Sequence, residues 1–198
     1  MTLALLSHLG HFEPLLISTG IVALAEMGDK TQLLALVLAA RFRKPLPIVL
    51  GILVATLLNH GLAGALGAWL MSWLGPDRLR IGLGVSFLLM AAWTLVPDKL
   101  EEEDTPTRAR KLGVFGTTVV AFFLAEMGDK TQVATIALAA RFDAYFWVVA
   151  GTTIGMMLAN VPVVWLGERF AQRIPIRLVH GIAAALFAVL GVVTLIRF

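Results

Sequence analysis

The residues best able to do chemistry form one run present twice, Ala-Glu-Met-Gly-Asp-Lys-Thr-Gln at 25–32 and again at 125–132. Each copy lies in a stretch otherwise apolar enough to cross a bilayer, so Glu26, Asp29, Lys30, Glu126, Asp129 and Lys130 stand where lipid would be expected. A central Asp or Lys costs about 2.5–3.5 kcal/mol on insertion scales, and residues kept at that depth mark ion or proton pathways. On a helix Glu26, Asp29 and Lys30 share one face, as do Glu126, Asp129 and Lys130. Each face predicts half of one site.

The neutral neighbours extend the donor set. Gly28 and Gly128 permit a local departure from helix, and an Asp followed by Thr two residues on can start a new helical segment. A break there would free backbone carbonyls inside the membrane, which is tolerated only where they line a site. Thr31, Gln32, Thr131 and Gln132 add oxygens beside the carboxylates. Asn59 and Asn160 could complete a coordination shell, or else serve as interhelical hydrogen-bonding residues. All-oxygen donors suit calcium, magnesium or manganese and disfavour copper.

Charge arithmetic points the same way. Fully ionised, each motif sums to minus one and the two sum to minus two, which one divalent cation or two protons would neutralise. Lys30 and Lys130 are the expected charge partners, each holding a carboxylate when no cation is bound. The plainer alternative pairs Glu26 with Lys30 and Glu126 with Lys130 along their own helices, with each Asp as a cap. It leaves the duplication of so costly a set unexplained.

The elements that must position these groups follow from composition. Of 198 residues 59% are hydrophobic and 15% charged, with mean hydropathy +0.87, which describes an integral membrane protein. The net charge of +3 and pI near 9.7 do not imply nucleic acid, because the Lys and Arg residues cluster between apolar spans. Cysteine is absent, which excludes disulfides and thiolate metal sites. No resident cofactor is expected. The first dozen residues lack Lys and Arg, so the first apolar span is expected to be retained rather than cleaved as a signal peptide.

At roughly 20 residues per crossing, six helical spans are predicted, near 14–40, 45–74, 79–97, 113–140, 144–166 and 177–197. The first and fourth should break at the motifs. Residues 25–42 match 125–142 at an offset of one hundred, both ending Leu-Ala-Ala-Arg-Phe, so the chain divides into two three-helix repeats, 1–97 and 113–198, joined by an acidic and basic linker at 98–112. An odd number of spans per repeat makes the two copies inverted, and the charged faces should meet at the midplane. Arg41, Arg43, Lys44, Lys99, Arg108, Arg110, Lys111, Arg169, Arg173 and Arg177 would share one side, against Arg78, Arg80, Arg141 and Arg197 on the other. The positive-inside rule then puts both termini outside and the linker in the cytoplasm.

Weaker features have structural explanations. His60 could relay protons, but its repeat counterpart is Val161, which favours a structural or pore-lining role; His8, His11 and His180 are given none. Gly61, Gly64, Gly67 and Ala68 form a small-residue stripe suited to helix packing, as do Gly181 and Ala185. Trp69, Trp73, Trp93 and Trp147 fall near span ends and suit interfacial anchoring.

The duplicated Glu-x-Gly-Asp-Lys-Thr motif in a two-by-three-span chain of this size resembles the GDT family of cation/proton exchangers. That family includes Golgi calcium and manganese transporters of eukaryotes and manganese exporters of bacteria. The resemblance covers nearly the whole chain, and both motifs match at every charged position. It implies that Glu26, Asp29, Glu126 and Asp129 form the cation site. Lacking a long N-terminal extension and having a short central loop, the chain resembles the bacterial members, for which manganese export across the inner membrane is implied and calcium/proton exchange is the nearest competitor. A monomer could be complete, with a homodimer as the alternative. A membrane-embedded hydrolase would need a nucleophile or water-activating metal near an interface, and an assembly subunit would tolerate acid-to-amide changes.

Overall fold

The computed structural model describes residues 2–74, 76–96, 112–167 and 175–197. Eight helices account for nearly all of them: α1 (Thr2–Glu26), α2 (Lys30–Phe42), α3 (Pro45–Leu74), α4 (Pro76–Thr94), α5 (Gly113–Glu126), α6 (Lys130–Phe142), α7 (Tyr145–Leu166) and α8 (Ile176–Arg197). The expected linker, apart from its last residue, lies outside the described residues, as do the loop cations Lys99, Arg108, Arg110, Lys111, Arg169 and Arg173.

Two boundaries differ from the sequence reading. The first helix begins at Thr2 and runs through Pro14 rather than starting there. The fourth helix covers 76–94 rather than 79–97. Its start fits Pro76, whose fixed φ and missing N–H suit the first helical position, and its end precedes Pro97, which disfavours helix in the residue before it.

The polar and apolar residues are arranged for a lipid exterior. Among the described residues Glu26, Asp29, Glu126, Lys130, Asn59 and Asn160 are fully buried, while Leu16, Trp73, Phe146 and Ile196 are more than 60% exposed. In water such a surface would aggregate; in hydrocarbon it is solvated. Among the described residues three helices are long and apolar enough to cross a membrane by length and composition, Pro45–Leu74, Tyr145–Leu166 and Arg177–Ile196, and Gly113–Glu126 is apolar but shorter.

The main helix pairings are between the two halves of the chain rather than within them. Helix α1 lies along α7, α3 along α5 and α6, and α4 along α8, while α3 and α7 touch each other. Glycine permits the closest approaches. A Cβ on Gly51 would overlap Thr118 of α5 and crowd the Phe115 carbonyl, and one on Gly151 would meet Ser18 and the Leu15 carbonyl of α1. These are the same contact one hundred residues apart. Two apolar clusters flank the centre, one joining α4 and α8 to α1 and α6 around Phe87 and Phe187, the other joining α2, α3 and α5 around Leu38, Ile52 and Phe122.

Candidate functional site

Both motifs break their helices. Helix α1 ends at Glu26 and α2 starts at Lys30; α5 ends at Glu126 and α6 starts at Lys130. Gly28 and Gly128 take φ of 82° and 73°, a left-handed backbone that glycine adopts without strain. Each break is a tight turn, closed by the Asp29 N–H donating to the Glu26 carbonyl (3.0 Å) and the Asp129 N–H to that of Glu126 (3.1 Å). The N-termini of α2 and α6, with their positive dipole ends, therefore open beside the carboxylates.

Asp29 and Asp129 hold the N-cap positions of α2 and α6, but neither side chain bonds its own helix. They are used across the interface instead. Lys30 Nζ lies 3.2 Å from Asp129 Oδ1, and Lys130 Nζ contacts Asp29 Oδ1. Each lysine reaches the aspartate of the opposite motif, a partner that the linear spacing could not reveal. The two bridges differ in setting: the Lys30 side chain is 22% exposed, whereas Lys130 and Asp29 are wholly buried.

Glu26 and Glu126 are held alike. The Thr31 hydroxyl donates to Glu26 Oε2 at 2.6 Å, and the Thr131 hydroxyl to Glu126 Oε2 at 3.0 Å. Their other oxygens, Glu26 Oε1 and Glu126 Oε1, have no hydrogen-bond partner among the described residues, nor does Asp129 Oδ2. Glu26, Glu126 and Asp129 each offer a carboxylate oxygen within 4.8 Å of the others. Buried polar atoms are ordinarily satisfied, and an unpartnered anionic oxygen is the most costly kind to leave so. Together these three carboxylates form a donor set that a hard cation would fill.

The amide residues have other employment. Gln32 Oε1 accepts from the Gly28 N–H (2.9 Å) and Gln132 Oε1 from the Gly128 N–H (2.8 Å), so each glutamine braces its own break. Their amide nitrogens reach across, Gln32 to the Ala159 carbonyl (2.9 Å) and Gln132 to Asn59 Oδ1 (3.3 Å). Asn59 also donates to the Phe123 carbonyl at 3.1 Å, an interhelical role. Asn160 donates to the Met156 carbonyl (3.0 Å), and its Oδ1 has no partner among the described residues. His60 is buried with no hydrogen-bond partner at either ring nitrogen among the described residues.

One contact was invisible in the sequence. His180 Nε2 of α8 sits 2.7 Å from the Met27 carbonyl, inside the first break. Position 80, its counterpart at the repeat offset, is Arg80, so self-alignment offered no signal for a histidine there.

The sequence is similar to known proteins along most of its length. The family described as "Divalent cation/proton antiporter GDT1" matches residues 14–102 and 114–197. A protein of Vibrio cholerae serotype O1 named "Putative manganese exporter" is 52% identical over 182 residues, covering 91% of this chain and 89% of that protein. The GDT1-like protein sll0615 of Synechocystis sp. is 33% identical over 196 residues, with 88% and 92% covered. The divalent cation/proton antiporter GDT1 of Saccharomyces cerevisiae is 25% identical over 229 residues, with 89% and 81% covered. No solved structure matches the chain.

Proposed function

The chain belongs to the GDT1 family of divalent cation/proton antiporters, and on that premise we propose that it exports Mn2+ in exchange for protons across a bacterial inner membrane. The observation carrying the reading is the convergence of Glu26, Glu126 and Asp129, buried, with three carboxylate oxygens unpartnered among the described residues. Asn160 Oδ1, also buried and unpartnered among the described residues, is a neutral candidate to add. Thr31 and Thr131 orient the two glutamates, and Gln32 and Gln132 act as braces of the breaks rather than as ligands.

The proposed architecture has six spans. The broken pairs α1 with α2 and α5 with α6 make the first and fourth crossings, and the repeats 1–97 and 113–198 are related by a pseudo-two-fold axis in the membrane plane that brings the motifs to mid-depth. The paired close approaches at Gly51 and Gly151 support that relation. Cation counting puts the termini outside and the linker inside.

Four carboxylates against two lysines leave a formal charge of minus two. One Mn2+ or two protons neutralises it, so each loaded state crosses without net charge, and the empty charged state is the costly one to move. Two protons per metal ion is the expected stoichiometry. The relative at 52% identity that is named for manganese supports Mn2+. The all-oxygen donors favour one second reading, Ca2+/H+ exchange, although Ca2+ prefers about 6–8 oxygens.

The test is reconstitution into liposomes holding a pH dye, with Mn2+, Ca2+ or Mg2+ added outside. Proton movement driven best by Mn2+ and lost in a Glu26→Gln, Glu126→Gln variant is expected. A larger Ca2+ response promotes the second reading, and no ion response from folded native protein removes both.

A further inference from the structure

The two cross-repeat bridges are related by the duplication, yet they are not equivalent. Asp29 and Lys130 are both fully buried and in direct contact. Moving either would leave its partner charged in a medium that cannot solvate it, the situation in which breaking a pair is most destabilising. Lys30 differs because its side chain is 22% exposed and stands 3.2 Å from Asp129 Oδ1. A partly solvated ammonium loses little when it leaves its partner.

Asp129 faces two ways. One oxygen meets Lys30, the other, Oδ2, is unpartnered among the described residues, and the carboxylate as a whole belongs to the cluster with Glu26 and Glu126. Asp29 contributes no atom to that cluster. A cation entering the three-carboxylate pocket would therefore compete with Lys30 for Asp129 while leaving the Asp29–Lys130 bridge intact.

Resting on the exchanger reading above, we infer that Lys30 is a displaceable counter-ion that holds Asp129 until the divalent cation takes its place, and that Asp29–Lys130 is a fixed bridge outside the cargo's coordination shell. Return of the Lys30 ammonium to Asp129 then helps expel the metal. Lys30 is thus a positioning residue whose charge sets the balance between metal affinity and release. Symmetry of sequence conceals this, because the motifs are identical and only burial separates the two lysines.

The test uses the full chain in liposomes, with Mn2+ as the probe and native protein as control. Lys30→Met should lower the KM for Mn2+ and lower kcat together, since the competing charge is gone and release slows; Lys30→Arg should restore both toward native values. A merely structural lysine would reduce active protein without moving KM, and that result overturns the inference. The paired change Asp29→Asn with Lys130→Met removes the buried bridge without leaving a lone charge; in folded protein its KM for Mn2+ should shift less than that of Lys30→Met, and an equal or larger fall in KM also overturns the inference. If that double variant does not fold, the Lys30 variants decide. Failure of the native protein to exchange Mn2+ for protons would instead refute the function reading itself.

Discussion

The seam between α2 and α7 and its repeat counterpart between α6 and α3 are built from nearly the same sequence and packed to different degrees. At the first, a cleft of about 610 Å³ is lined by Val37, Ala40, Val164 and Trp165, and Val37 is 39% exposed. At the second, Ala137, Ala139 and Ala140 are buried, and Gly67 lies so close to α6 that a Cβ there would collide with the Ile136 carbonyl. The partner helices explain the contrast. Helix α3 offers Gly67 to α6, its Gly61 and Gly64 facing Tyr145 and Val149 of α7 instead, whereas α7 presents the bulky Trp165 at the open seam. Backbones approach closely only where side chains are small. Duplication supplied two similar halves, and a few substitutions on the long helices made one seam tight and left the other open.

The same inequality reaches the ion pairs, where the largest effect is expected. Lys130→Met leaves Asp29 buried without its bridging ammonium and should destabilise the protein by about 3–5 kcal/mol. Lys30→Met removes a partly solvated ammonium but leaves the buried Asp129 without it, and should cost less, about 1–3 kcal/mol. Thermal unfolding in detergent measures both, and equal losses would erase the distinction between the halves. Next in size is a matched pair of insertions. Ala139→Leu, beside Gly67, overfills the closed seam and should cost about 1–3 kcal/mol, while Ala39→Leu, partly exposed and lining the open cleft, should stay within about 0.5 kcal/mol. A reversed order would mean that the open seam closes in the membrane.

Much of this was legible before any coordinates. The doubled motif with its glycine marked both breaks, because a buried charged run interrupted by glycine has few ways to remain a straight helix. The small residues at 61, 64 and 67 announced a close contact. What the chain could not disclose was partner choice across space. Linear spacing offers Lys30 to Glu26, four residues away, and nothing local says that it turns to Asp129 on another helix. The bracing contacts of Gln32 and Gln132 were hidden for a related reason: an amide oxygen reads as a ligand until a tight turn presents an N–H four residues back. The starts of α1 and α4 differ from the expected 14 and 79 because Pro14 stands inside α1 and Pro76 opens α4.

The smallest expected effect tests the comparison at the breaks themselves. The first break receives His180 from α8 at its Met27 carbonyl, and α8 lies against α1. Met127, at the matching place in the second break, is 57% exposed, and α4 leans on α6 rather than on α5. One interhelical hydrogen bond is worth about 0.5–1.5 kcal/mol net, so the first break should open less often by up to roughly tenfold. Hydrogen exchange at the Gly28 and Gly128 amides reads this directly, since each donates to the glutamine four residues on. In native protein Gly28 should exchange more slowly. His180→Phe should bring it close to Gly128, and His180→Gln, which keeps a donor of similar reach, should recover part of the difference. Equal exchange at the two glycines in the native chain would show that the α8 contact does not hold the break, and that the asymmetry of the seams stops short of the charged centre.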